Sequence, residues 1–72
     1  MTNKEKLVLL EEMLDIKEGS LKEDMLLTDV ENWDSMSIIS LIALIDYNFG
    51  KVLKVADIKK LNTIQDVLNE MN

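Results

Sequence analysis

The sequence predicts an all-α protein, a small four-helix bundle of three longer helices, one short third helix and a long first loop. Apolar residues recur every three or four positions in three segments, which is the spacing of one helix face. Two of these segments open on a threonine with an acidic residue three positions later, the pattern of a capping box. The chain has no proline, and its two glycines stand where helices are expected to end.

Length and composition narrow the possible functions. The 72 residues are enough for one small domain, residues 1–72, but not for two. The chain has no cysteine and no histidine, so disulfides, thiolate metal ligands and a Ser-His catalytic pair are excluded. No segment is typical of a signal peptide or of a membrane span, and the expected location is therefore the cytoplasm.

Charge is distributed unevenly along the chain. The net charge is −6, and residues 1–34 hold ten acidic side chains against four lysines, whereas residues 35–72 hold four of each. An acidic surface repels nucleic acid and anionic lipid, so those partners and membrane insertion are not expected. The same charge suits protein partners with basic docking patches, although it also serves solubility.

The first helix is predicted to begin at the capping box of Thr2 and Glu5. Its apolar stripe consists of Leu7, Leu10, Met13 and Leu14. Glu11 and the other acidic residues of this helix fall largely on the opposite, solvent side. After a turn that follows the helix, Gly19 is a natural stop, because glycine adopts the left-handed conformation that closes many helices.

The connection from Ser20 to Trp33 has no sustained helical period, yet it is too apolar for a free linker. Its apolar side chains are Leu21, Met25, Leu26, Leu27 and Val30. We expect these side chains to anchor the loop, with a short turn around Leu21 to Met25, because long unanchored loops are uncommon in compact domains.

The second helix is predicted from Ser35 to Phe49, with Asp34 as its N-cap. Ser35 then occupies the first helical position, beside unpaired backbone N–H groups and the positive end of the helix dipole, a setting that suits an attached phosphate. Serine and aspartate at a helix start are also the ordinary residues of a cap. The local pattern alone leaves both readings open.

The second helix has two apolar faces. Steps of 100° place its core stripe at Ile38, Leu41, Ile42, Ile45 and Phe49. The opposite face carries Met36, Ser40, Ala43 and Tyr47, with Ile39 on its shoulder. A domain of this size cannot bury such a helix on every side, so we expect Met36, Ile39, Ser40, Ala43 and Tyr47 to form a partner-docking face.

Two shorter segments complete the bundle. Gly50 can close the second helix, and residues from Val55 to Leu61 are predicted to form the short third helix. The last helix opens on the capping box of Thr63 and Asp66. Its apolar stripe consists of Ile64, Val67, Leu68 and Met71.

Roughly residues 7 to 71 resemble the acyl carrier proteins and the related peptidyl carrier domains. The resemblance is carried by WDSMSIISLIALIDYNFG, from Trp33 to Gly50, followed by VADIKKLNTIQDVL. Its sharpest element is Asp34-Ser35-Met36, similar to the family's Asp-Ser-Leu, in which the serine carries 4′-phosphopantetheine through a phosphodiester. The resemblance implies a bundle of the acyl-carrier-protein type and a covalent 4′-phosphopantetheine on Ser35. Asp29, Glu31 and Asp34 could supply oxygen ligands to calcium or magnesium, but their spacing lacks the glycine and terminal glutamate of an EF-hand loop, so no metal is expected.

The chain departs from the family in two places. The family commonly has Leu-Gly shortly before Asp-Ser, and here Asn32 stands in for the glycine, since asparagine tolerates positive φ. Trp33 is expected to pack as a lid near the serine. The second helix also lacks the acidic ladder of the best-known members, so we expect partner docking to depend more on apolar contact and only weakly on salt.

The sequence favours three classes of function to different degrees. The resemblance implies a monomeric, non-enzymatic carrier, a phosphoprotein that a phosphopantetheinyl transferase modifies from coenzyme A. Acyl-loading enzymes and synthases or transferases would then act on its thioester-bound acyl or aminoacyl groups in fatty acid, polyketide or other secondary metabolite biosynthesis. The alternative is a helical interaction module that binds a protein through the apolar face of the second helix. An enzyme is disfavoured because a serine nucleophile would lack a base.

Overall fold

A computed structural model describes all 72 residues of the protein and shows only helices and connections. The helices are α1 (Asn3–Leu14), α2 (Ser35–Phe49), α3 (Val55–Lys59) and α4 (Ile64–Glu70), with one 3-10 turn at Leu27–Asp29. The predicted small all-α bundle is confirmed, and so are the bounds of α2. The third helix is shorter than predicted, and α4, predicted to be one of three longer helices, has only seven residues.

The core lies where the four helices meet the segment between α1 and α2, which we call the first connection. Its twelve buried apolar side chains are Leu10, Leu14, Leu21, Leu27, Val30, Leu41, Ile45, Ile58, Ile64, Val67, Leu68 and Met71. Leu41 and Ile45 confirm the predicted inward face of α2. Every helix contributes to this cluster, so burial of apolar surface holds the elements together.

The end of α1 differs from the prediction. The helix stops at Leu14, and Asp15 closes it in the left-handed conformation at φ 56° and ψ 47°. The Ile16 N–H then donates to the Glu11 carbonyl oxygen at 3.0 Å, which satisfies one of the last carbonyls of the helix. Gly19 also has a positive φ, but it lies in the following turn and not at the helix end.

Glu11 was predicted to face solvent, and this prediction is wrong. The residue is only 3% exposed, because the segment after α1 folds back over it. Its Oε2 accepts hydrogen bonds from the backbone N–H groups of Gly19, at 2.9 Å, and Leu21, at 3.0 Å. The buried carboxylate therefore fixes the first part of the connection to α1.

The connection between α1 and α2 is anchored, as predicted, and much of the anchoring is by backbone hydrogen bonds to the start of α4. The N–H of Ile64 donates to the Met25 carbonyl oxygen, and the N–H of Leu27 donates to that of Asn62, both at 2.9 Å. Leu26 is the exception among the predicted anchors, since its side chain is exposed. None of the helices combines the length and the hydrophobicity that crossing a bilayer requires.

Candidate functional site

The start of α2 is fixed by a reciprocal cap. The Ser37 N–H donates to Asp34 Oδ1 at 2.9 Å, and the Asp34 N–H donates to Ser37 Oγ at 2.7 Å. The Ser37 hydroxyl also donates to the Asp34 carbonyl oxygen at 2.7 Å. Ser37 thus takes the place that Glu or Gln holds in the usual capping box. The sequence signal for this role is the spacing Asp34-x-x-Ser37.

Ser35 is the first residue of α2 and is exposed. The cap engages the N–H of Ser37, while the N–H groups of Ser35 and Met36 have no hydrogen-bond partner within the protein. In α4 the corresponding donors are occupied, because the N–H groups of Ile64 and Gln65 donate to carbonyl groups of the first connection. Ser35 therefore combines an accessible hydroxyl with adjacent free donors, which an attached anion can use.

The other two serines of α2 lie in different settings. Ser37 is 7% exposed, and both its hydroxyl and its N–H are held in the cap. Ser40 is exposed, but it lies inside the helix, where backbone N–H groups are paired within the helix. Only Ser35 has free backbone donors beside it.

A shallow groove of about 240 Å³ begins at Ser35 and separates α2 from α3. Its lining residues are Ser35, Ile38, Ile39, Val55 and Lys59. Lys59 is the one charged residue of this lining. The spacing of Val55 and Lys59 places them on one face of α3, but the sequence did not show that this face lies beside Ser35. Two larger depressions lie along α1, away from the serine.

The five residues predicted as a docking face are all exposed on one side of α2. Met36 is 71% exposed, Ile39 57% and Tyr47 90%, and Ser40 and Ala43 are exposed between them. Exposed apolar side chains at these spacings form a row that starts at Ser35 and follows the helix axis. This row is continuous with the groove, since Ile39 belongs to both.

Three exposed carboxylates precede α2 in the chain. Asp29, Glu31 and Asp34 are exposed in the connection, and they do not form a group that could hold a metal ion. The single ion pair of the protein joins Lys51 Nζ to Glu70 Oε1 at 3.3 Å. The three carboxylates before α2 therefore form no ion pair within the protein.

Asn32 and Trp33 directly precede the cap of α2. Trp33 is half-buried and packs against the core, and its role as a lid near Ser35 stays a prediction. Asn32 has a φ of 66°, which confirms that it stands where a glycine-like conformation is needed. Its side chain has a second role that the sequence did not indicate, because Nδ2 donates to the Leu14 carbonyl oxygen at 2.8 Å.

Comparisons with protein-family models, with curated proteins and with solved structures give no match to this chain. The resemblance to carrier proteins therefore depends on the residues from Trp33 to Leu68 quoted above.

Proposed function

We propose that the protein is an acyl-carrier-type protein in which Ser35 bears a 4′-phosphopantetheine arm. The observation that carries the proposal is the setting of Ser35 within the Asp-Ser-Met motif: an exposed hydroxyl at the first position of α2 with two free backbone N–H groups beside it. These donors and the helix dipole favour a phosphodiester at this place.

The modification requires no catalytic group from this chain. Ser35 Oγ forms a bond to the phosphorus next to pantetheine in coenzyme A, the diphosphate P–O bond breaks, and adenosine 3′,5′-bisphosphate leaves. The hydroxyl proton goes to a base of the transferase, because this chain has no histidine to accept it. The arm supplies a thiol, which the cysteine-free chain lacks, and holds acyl or aminoacyl groups as thioesters.

Partner enzymes dock, in this proposal, on the row of Met36, Ile39, Ser40, Ala43 and Tyr47. The row begins at the attachment site, so a bound enzyme would have the root of the arm at the edge of its interface. Its apolar side chains supply contact area, and its polar members supply hydrogen-bonding groups that are already solvated.

A second function, a helical interaction module without an arm, is favoured by the same exposed row. Met36 and Ile39 would then be anchors for a protein partner, and Ser35 would be part of an ordinary cap. The two functions differ in one chemical property, which is whether Ser35 accepts the arm.

Incubation with a broad-specificity phosphopantetheinyl transferase and coenzyme A tests the proposal. Intact-mass spectrometry should show a gain of one phosphopantetheinyl group, and Ser35→Ala should abolish the gain. Ser20→Ala is the control, because it removes an exposed hydroxyl outside α2 and the docking row and should be loaded like the wild type. A wild-type mass that stays constant at high transferase concentration would favour the interaction module.

A further inference from the structure

Asn32 ties the segment before Ser35 to the end of α1. Its Nδ2 lies 2.8 Å from the Leu14 carbonyl oxygen, across 18 positions of the chain. Leu14 is the last residue of α1, and its carbonyl oxygen accepts no other hydrogen bond. The amide therefore satisfies one of the acceptors that every helix leaves at its carboxyl end.

This tether acts within a short turn that has few other hydrogen bonds. Val30 is buried on one side of it, and Asp34 begins the α2 cap on the other. Between them Glu31 and Asn32 are exposed, and the Trp33 N–H donates to the Val30 carbonyl oxygen at 3.3 Å, a long hydrogen bond. The Asn32 side chain thus makes the one hydrogen bond between this turn and α1, in addition to the packing of Trp33 against the core.

Backbone conformation alone does not account for asparagine at this position. The φ of 66° is adopted by glycine without steric cost, whereas asparagine is only tolerated there. What asparagine adds is the donor group that reaches Leu14. The residue combines the left-handed conformation of the turn with a hydrogen bond that glycine cannot make.

We infer that Asn32 is a positioning residue for the modification of Ser35, an inference that rests on the proposed carrier function. The tether holds the turn so that Ser35 is presented to the transferase in one orientation. Without it the turn has more conformations, and the transferase must order the segment when it binds. Removal of the tether should therefore raise KM for the apo-protein and leave kcat unchanged, because the complex that forms with the transferase is the same.

Asn32→Gly is the principal test variant, since it keeps the positive φ and removes the tether. Asn32→Asp is the second, because it keeps the shape and the left-handed tolerance but has no donor; it is assayed in about 0.5 M salt to screen its added charge. The matched control is Lys6→Met. Lys6 Nζ donates to the Leu68 carbonyl oxygen at 3.4 Å, so the control removes a different side-chain tether to a helix end.

Two measurements are made below the unfolding midpoint of every variant: steady-state loading by the transferase, and acrylamide quenching of Trp33, the only tryptophan. Both Asn32 variants should raise KM by about threefold or more with kcat unchanged, and Trp33 should become easier to quench. Lys6→Met should lower thermal stability and change neither quantity.

Two results would overturn the inference while leaving the carrier function intact: a wild-type KM in both Asn32 variants, or a rise in KM that Lys6→Met reproduces. A wild-type protein that gains no mass under any condition would instead remove the proposed function, and the inference with it. The loading of the wild type is therefore established first, and the variants are compared against it.

Discussion

At the residue scale, the buried Glu11 side chain holds the segment that follows α1. Its carboxylate accepts from the N–H groups of Gly19 and Leu21. Glu11→Ala leaves both donors without a partner and should lower the free energy of unfolding by about 1–3 kcal/mol, measured by urea denaturation. Glu11→Gln retains an acceptor oxygen and should cost less. Equal losses in the two variants would mean that packing, and not hydrogen bonding, sets the effect.

Asp66 should make stability depend on acid pH. Hydrogen bonds from the backbone N–H groups of Asn62, the larger cause, and Thr63 hold the pKa of Asp66 below its ordinary value of 3.8. The folded state therefore favours the charged form, so this stabilisation is present above the ordinary pKa and is lost as pH falls through the lower, folded pKa.

Asp66→Asn should therefore unfold with a shallower acid dependence than the wild type. Thermal unfolding midpoints measured from pH 7 down to pH 2 give the comparison. Asp46→Asn is the control, because Asp46 is exposed and its carboxylate makes no hydrogen bond within the protein, so this variant should follow the wild type. Parallel acid curves for Asp66→Asn and the wild type would contradict the assignment.

Prediction from the sequence was right for Asn32 and wrong for Glu11, and the reasons differ. Asn32 was correctly placed in a positive-φ position, because backbone preference is a property of the residue itself. Glu11 was placed in solvent because helical periodicity assumes water on the far side of the stripe. Whether a later segment folds back over that side depends on tertiary structure, which a local pattern does not contain.

At the element scale, the end of α2 depends on Gly50. Its φ is 65°, and a Cβ added there would meet no atom within 4 Å. Gly50→Ala should therefore destabilise the protein by backbone strain alone, by about 1 kcal/mol, and Gly50→Asn by less. Urea unfolding measures both. A loss of several kcal/mol would indicate a steric clash and would contradict the open surroundings of Gly50.

The helix boundaries that were predicted correctly are those with a signal in their own sequence. Asp34 and Gly50 bound α2 through a cap and a left-handed residue, and both signals are local. The end of α1 at Asp15 has no such signal, since aspartate enters the left-handed region less readily than glycine. It adopts this conformation where the chain turns back and Ile16 packs against the core.

At the scale of the whole molecule, the exposed row on α2 should govern recognition more than charge does. Ile39→Ser should raise KM for loading by the transferase several-fold, because it removes exposed apolar contact area, while stability changes by about 0.5 kcal/mol or less. Wild-type KM should rise only weakly between low and high salt.

Asp46→Asn serves as the control for this surface, since it removes the one acidic side chain inside α2. It should leave KM nearly unchanged. A steep increase of KM with salt, or a larger effect of Asp46→Asn than of Ile39→Ser, would show that recognition is electrostatic.

The hydrogen bonds between the first connection and α4 also make the segment before Ser35 depend on the last helix. The carbonyl groups of Glu23 and Met25 accept from the first N–H groups of α4. A chain truncated before Ile64 would keep the serine and lose both donors. In the proposed carrier function, such a fragment would therefore be a poor substrate for the transferase.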